Sequence, residues 1–287
     1  MFPGTPDAVV LEGESTMPEN ALALLIVGLI AGVASGMFGI GGGVVIVPAL
    51  IILGFELQEA AGTSLGALLM PVGIFAVIEY YRAGKLKFGI AVPIAAGLVA
   101  GTIAGAEIAR NLPSETLRQL YGIFLIWTGW RFAEPRKMWQ EWRAKTPASK
   151  TPEENTTTAA WYILLMVGLG AGVLAGMFGI GGGAIIVPVL VGLLKFDQKV
   201  AVGTSLAALL LPVGLGAVII YYQDGNLDPA AAALVAVGLL IGALGGAKIA
   251  LGLPSKTVKQ LYGLFLVVIG LRFVGLLDPI INLLAGR

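Results

Sequence analysis

The sequence predicts an all-α membrane protein made by internal duplication, with inverted repeats of three spanning helices plus one glycine-broken re-entrant hairpin each. Composition, an internal repeat and the placement of glycine runs inside apolar segments carry that expectation. Of 287 residues, 57% are hydrophobic and only 12% charged, with a mean hydropathy of +0.91. A soluble domain carries about 25% charged residues, so this chain has half the charge needed to cover a water-exposed surface. A lipid bilayer is the partner that such a surface requires.

The repeat organises everything else. Residues 29–50 read LIAGVASGMFGIGGGVVIVPAL and residues 169–190 read LGAGVLAGMFGIGGGAIIVPVL, at an offset of 140. After a one-residue insertion the offset becomes 141: GTSLGALLMPVG (62–73) matches GTSLAALLLPVG (203–214), and LPSETLRQLYGIF (112–124) matches LPSKTVKQLYGLF (253–265). The chain therefore divides into an acidic extracytoplasmic amino terminus (1–20), a first membrane repeat (21–132), a cytoplasmic interfacial linker (133–158), a second repeat (159–275) and a tail (276–287). The first segment carries Asp7, Glu12, Glu14 and Glu19 without Lys or Arg, the reverse of a signal peptide's positive start. All five tryptophans, Trp127, Trp130, Trp139, Trp142 and Trp161, fall in or beside the linker, which reads as an aromatic anchor at the interface.

Each half opens with an apolar segment, 21–54 and then 160–194. The first would be roughly 50 Å long as one helix, against a hydrocarbon core of about 30 Å. Gly39, Gly41, Gly42 and Gly43 interrupt it, as Gly179, Gly181, Gly182 and Gly183 interrupt its partner. Glycine disfavours uninterrupted helix, so each segment reads as two half-helices, 21–37 and 44–54 in the first. Three further segments follow, 60–81, 88–109 and 115–132, repeated at 201–222, 229–250 and 257–274. Pro71 and Pro212 fall inside the first of these and predict kinks. Gly97, Gly101 and Gly105, matched by Gly238, Gly242 and Gly246, have the spacing that lets helix backbones meet.

Charge chooses between topologies. If the broken segments re-enter, the halves are inverted; if they cross fully, the halves are parallel. With the amino terminus outside, the inverted arrangement leaves only Arg110, Arg118, Arg272 and Arg287 of the 18 Lys and Arg outside. The positive-inside rule favours it.

The chemistry available is narrow. There is no Cys and no His, which removes thiolate nucleophiles, thiolate metal sites, the usual proton shuttle and the commonest metal ligand. No basic block suggests nucleic acid, and no phosphate-binding GxxxxGK[ST] loop is present. No catalytic residue, metal site or cofactor is expected; an intramembrane enzyme would have to be built from Glu79, Glu107 and hydroxyls.

Candidate binding residues are those that can meet a small anion without charge. Breaking a helix at membrane depth exposes backbone groups that only protein or a water-filled cavity can cover. A new half-helix begins after each glycine run, so its N–H groups and positive dipole end would face the bilayer centre. Thr63, Ser64, Thr204 and Ser205, in GTS triplets that open the next helices, offer O–H donors; they equally suit helix caps or back-bonded hydroxyls. Glu79 and Glu107 are the ionisable residues best placed for proton coupling. The partners expected are a small anionic substrate and lipid.

With the duplicated GMFGIGGG…VP and GTSL motifs, the chain resembles the sulfite exporter TauE/SafE family of membrane permeases over residues 20–275. The resemblance implies transport of a small sulfur-containing anion such as sulfite or an organosulfonate across the bacterial cytoplasmic membrane. It places the family's glycine motif on Met37–Gly43 and Met177–Gly183. A related class of thiosulfate carriers uses cysteines, and that route is closed here. A permease for another small organic anion, or a structural subunit of a membrane complex, remain the alternatives.

Overall fold

The computed structural model describes residues 20–71, 73–133 and 159–254, with some residues between 257 and 271. The amino-terminal segment, residues 134–158 of the linker and the tail lie outside the described residues.

Eleven helices are bounded among the described residues. In the first half they are α1 (Ala21–Phe38), α2 (Gly43–Ile52), α3 (Leu57–Leu69), α4 (Ile74–Arg82), α5 (Phe88–Arg110) and α6 (Ser114–Ala133). The second half has α7 (Trp161–Phe178), α8 (Gly183–Gly192), α9 (Gln198–Leu209), α10 (Leu215–Gln223) and α11 (Pro229–Gly252). No strand occurs among the described residues. Four helices, α1, α5, α7 and α11, are long and apolar enough to cross a membrane, and α3 with α4 makes a fifth candidate bent by 54°. The protein is a multi-pass membrane protein.

The glycine breaks fall where the sequence puts them. Gly39 ends α1 in the left-handed region at φ +71°, donating its N–H to Ser35 O at 2.8 Å. Gly42, at φ +96°, then turns the chain into α2. Gly179 (φ +69°) and Gly182 (φ +78°) do the same between α7 and α8. A side chain in this conformation costs about 1–2 kcal/mol per residue, which is why the turns need glycine.

Two expectations change. Pro71 and Pro212 do not kink a continuous helix. Helix stops at Leu69 and Leu209 and restarts at Ile74 and Leu215, because the proline lacks an N–H and its neighbour is pushed out of helical geometry. The GTS triplets do not open helices either. α3 begins at Leu57 and α9 at Gln198, where the Asp197 carboxylate accepts from Lys199 N at 3.0 Å as a true cap. Thr63 and Thr204 therefore lie well inside their helices. A third difference concerns α6, expected to span but not among the long apolar helices; its ends carry Glu115, Arg118 and Arg131.

The halves interlock. α1 of the first half lies along α11 of the second in the same direction: Cβ atoms added at Gly28, Gly32 and Gly36 would strike the backbone of Val235, then Leu239 with Gly242, then Ala243. α5 lies along α7 in the same way, through Gly97, Gly101 and Gly105 against Gly168, Gly172 and Val173. A Cβ on Gly101 would stand 2.8 Å from Gly172 Cα, and one on Gly172 the same from Gly101 Cα. The glycine stripes are thus contact faces, as their spacing predicts. In lipid, such close backbone approach supplies the van der Waals contact that hydrophobicity cannot. Where described, residues 257–271 are helical, and Gly129 of α6 meets Val267 while Gly270 meets Ile126.

Candidate functional site

The two glycine breaks meet at the centre of the molecule. A Cβ on Gly43 would run into Gly179 O and stand 2.6 Å from Ile180 Cα; one on Gly183 would meet Gly39 O and stand 2.7 Å from Ile40 Cα. Each break is therefore packed on the other, backbone to backbone. Hydroxyls lock the crossing: Ser64 Oγ donates to Gly179 O at 2.7 Å, and Ser205 Oγ donates to Gly39 O at 2.8 Å. Ser64, in the first half, satisfies the second half's break, and Ser205 returns the contact.

The threonines do something different. Thr63 Oγ1 accepts from Asp228 N at 3.0 Å, and Thr204 Oγ1 accepts from Lys87 N at 3.2 Å. Each holds the loop that enters the other half's α11 or α5. Gly62 and Gly203, next in the chain, let those loops come close, since a Cβ there would strike Asn226 O and Lys85 O. Tyr80 Oη donates to Gly36 O at 3.0 Å and Tyr221 Oη to Gly176 O at 2.9 Å, bracing the last turns of α1 and α7. Every one of these contacts has its counterpart under exchange of the halves.

On that pseudo-twofold lies a cavity of about 30 Å³. It is lined in pairs by Gly41 and Gly181, Leu65 and Leu206, Leu68 and Leu209, Leu69 and Leu210, and Gly73 and Gly214. A cavity needs about 10–15 Å³ to hold one water, so this one has room for roughly two. Val213 also lines it, its equivalent Val72 lying outside the described residues, and among the described residues the chemistry of the two halves differs at two places. Ser35 faces the cavity from α1 where α7 offers Ala175, and Thr102 lines it from α5, where the equivalent residue of α11 is Ala243. Thr102 Oγ1 lies 2.8 Å from Val213 O, tying α5 to the second half's proline break.

Of the expected binding residues, Gly41 and Gly181 line this cavity. Gly39, Gly42, Gly43, Gly179, Gly182 and Gly183 shape the crossing behind it, and Thr63, Ser64, Thr204 and Ser205 are buried in the contacts just described. Glu107 is exposed and paired with Arg110 at 3.2 Å, while Arg110 reaches Asp224 of the second half at 3.1 Å. Glu79 is half-buried on α4, and its carboxylate makes no hydrogen bond or ion pair among the described residues. No group of three or more carboxylates that could hold a metal occurs among the described residues. Ser35 and Thr102 escaped the sequence reading. The signal for them was available: each is a hydroxyl in one repeat opposite an alanine in the other.

A family model described as Sulfite exporter TauE/SafE matches residues 24–273. The chain is similar to the probable membrane transporter protein YunE of Bacillus subtilis, 29% identical over 88% of this chain and 96% of that one. It is also similar to the probable membrane transporter protein MJ0441 of Methanocaldococcus jannaschii, 27% identical over 86% and 93% of the two chains. A probable membrane transporter protein of Haemophilus influenzae is 28% identical over 88% and 97%. No solved structure matches this chain significantly. With the family's model covering nearly all of both repeats and the paired glycine breaks intact at their crossing, the chain belongs to the sulfite exporter TauE/SafE family.

Proposed function

We propose that this membrane transporter moves a small sulfur-containing anion, sulfite or a short organosulfonate, by alternating access through the central cavity. One observation carries the reading: two glycine-broken helices, one from each half, cross and enclose a cavity lined by the same positions twice. Broken helices related by an internal repeat are the recurrent architecture of a secondary transporter's midplane site. The half-helices α2 and α8 begin at that crossing, and helix N-termini favour negative charge.

Several contacts support reading the repeats as inverted. Gly62, early in the α3–α4 pair, touches Asn226 at the far end of the α9–α10 pair, and Gly203 touches Lys85 in return. Arg110 at the end of α5 meets Asp224. Pairs that meet start to finish run in opposite directions, and the positive-inside count agrees. The amino terminus then lies outside a cytoplasmic membrane. Rocking of one half against the other about the crossing would open the cavity to each side in turn. If transport is coupled to protons, Glu79 is the better-placed carboxyl, since Glu107 sits in an exposed ion pair.

The test is flux. Purified protein in liposomes is expected to move labelled sulfite or ethanesulfonate above protein-free vesicles, and Leu209→Trp, which plugs the cavity, is expected to cut that flux at least tenfold. A thermal-shift panel of sulfite, sulfate, thiosulfate, sulfonates and carboxylates ranks the ligands, because stabilisation grows with ligand over its dissociation constant. No flux of any panel anion, or full flux through Leu209→Trp, would overturn the reading.

A further inference from the structure

The cavity is symmetric in shape and asymmetric in chemistry. Its paired lining is leucine and glycine, and among the described residues the side-chain polar groups on it, Ser35 and Thr102, both come from the first half. The two hydroxyls are not equivalent. Thr102 has a backbone acceptor, Val213 O. Ser35 is 1% exposed, faces the cavity, and its hydroxyl makes no hydrogen bond among the described residues. A hydroxyl at a cavity wall with no acceptor of its own keeps its O–H free for a ligand.

The backbone around Ser35 is held firmly. Its carbonyl accepts from Gly39 N at the break, and the next carbonyl, Gly36 O, accepts from Tyr80 Oη at 3.0 Å. The side chain is thereby presented into the cavity from a braced helix end, directly before the glycine turn. A group placed this way donates to whatever oxygen enters the cavity, and a donor whose orientation is already fixed loses little entropy when it binds.

Resting on the transport reading above, we infer that the Ser35 hydroxyl is the side-chain donor that binds an oxyanion in the central cavity. Because Ala175 stands at the equivalent position, the same hydroxyl makes that pseudo-symmetric site one-sided. The anion's acceptor oxygen is drawn to the α1 wall, and the α7 wall offers only apolar contact.

The pseudo-twofold supplies the experiment. Binding of sulfite and of ethanesulfonate is measured by calorimetry in detergent for the wild type, Ser35→Ala, Ala175→Ser and the double variant S35A/A175S, with melting temperature as the folding control. Ser35→Ala removes a hydroxyl that holds no side-chain hydrogen bond here, so the variant should be at least as stable as the wild type. A hydrogen bond to a charged ligand is worth enough that its loss weakens binding about tenfold or more. Moving the hydroxyl to the opposite wall should recover most of that loss in the double variant, and Ala175→Ser alone should bind more tightly than the wild type. Unchanged affinity in Ser35→Ala, with the wild type binding normally, overturns this inference and leaves the transport reading standing. Failure of the wild type to bind either probe overturns both. If Ser35→Ala cannot be recovered folded, Ala175→Ser decides the matter: no gain in affinity rejects the proposal.

Discussion

The glycine stripes of α5 and α7 and the glycine breaks between α1 and α2 and between α7 and α8 are built from the same residue for opposite reasons. In the stripes glycine is ordinary helix, and its use is the missing Cβ: Gly101 and Gly172 approach so closely that either side chain would enter the other's backbone. At Gly41 and Gly181 the backbone itself demands glycine, at φ +79° and +76°, while the nearest atoms to an added Cβ are the ends of Leu209 and Leu68. One set of glycines lets helices meet. Gly41 and Gly181 let helices stop, and the space left by stopping is the cavity.

Substitution should separate the two. Gly101→Leu forces apart backbones that have no slack, a cost expected at ~3 kcal/mol or more. That is a large part of a marginal stability; the monodisperse peak in detergent size exclusion should collapse. Gly41→Ala meets only a flexible leucine end, 3.2 Å away at Leu209 Cδ1, and carries about 1–2 kcal/mol of left-handed strain. It should fold with a lowered melting temperature and altered anion binding. If Gly41→Ala unfolds the protein as thoroughly as Gly101→Leu, the distinction between packing and shaping glycines is wrong.

A smaller effect tests whether the two breaks are equals. Ser64→Ala leaves Gly179 O buried without its donor, and Ser205→Ala does the same to Gly39 O. Each should cost about 1–3 kcal/mol, with matching falls in melting temperature. A twofold mismatch between them would show that one half holds the crossing alone. The smallest effect belongs to the surface. Arg110→Ala removes the exposed link between α5 and Asp224, expected at under about 1 kcal/mol and fading at high salt. A loss larger than that of the buried serines would make this link a structural tie between the halves.

Much of this was legible in the chain. The duplication, the breaks at Gly39–Gly43 and Gly179–Gly183 and the contact role of Gly97, Gly101 and Gly105 follow from spacing and from what glycine permits. The GTS hydroxyls are expected at helix starts, but Leu57 and Gln198 begin their helices more than a turn earlier. Residue type identifies a hydroxyl; it does not say whether the proton goes to a ligand or, as for Ser64, to a carbonyl 115 residues away. Pro71 and Pro212 mark discontinuity in the chain, but whether helix bends or ends depends on what the neighbouring helices can satisfy.

The sequence by itself determined an apolar, duplicated, all-helical chain with two glycine interruptions and no histidine or cysteine. Those properties are local or compositional: hydropathy, backbone freedom and self-similarity act over a few turns and need no partner. Only the tertiary structure decided that the halves interlock, α1 with α11 and α5 with α7. It also decided that each break is closed by the other half's serine, and that Ser35 and Thr102 end up facing one cavity. The physical reason is that such contacts join residues roughly seventy to two hundred positions apart. Their partners are chosen by backbone close approach and hydrogen-bond satisfaction across the fold, which no window of the sequence contains.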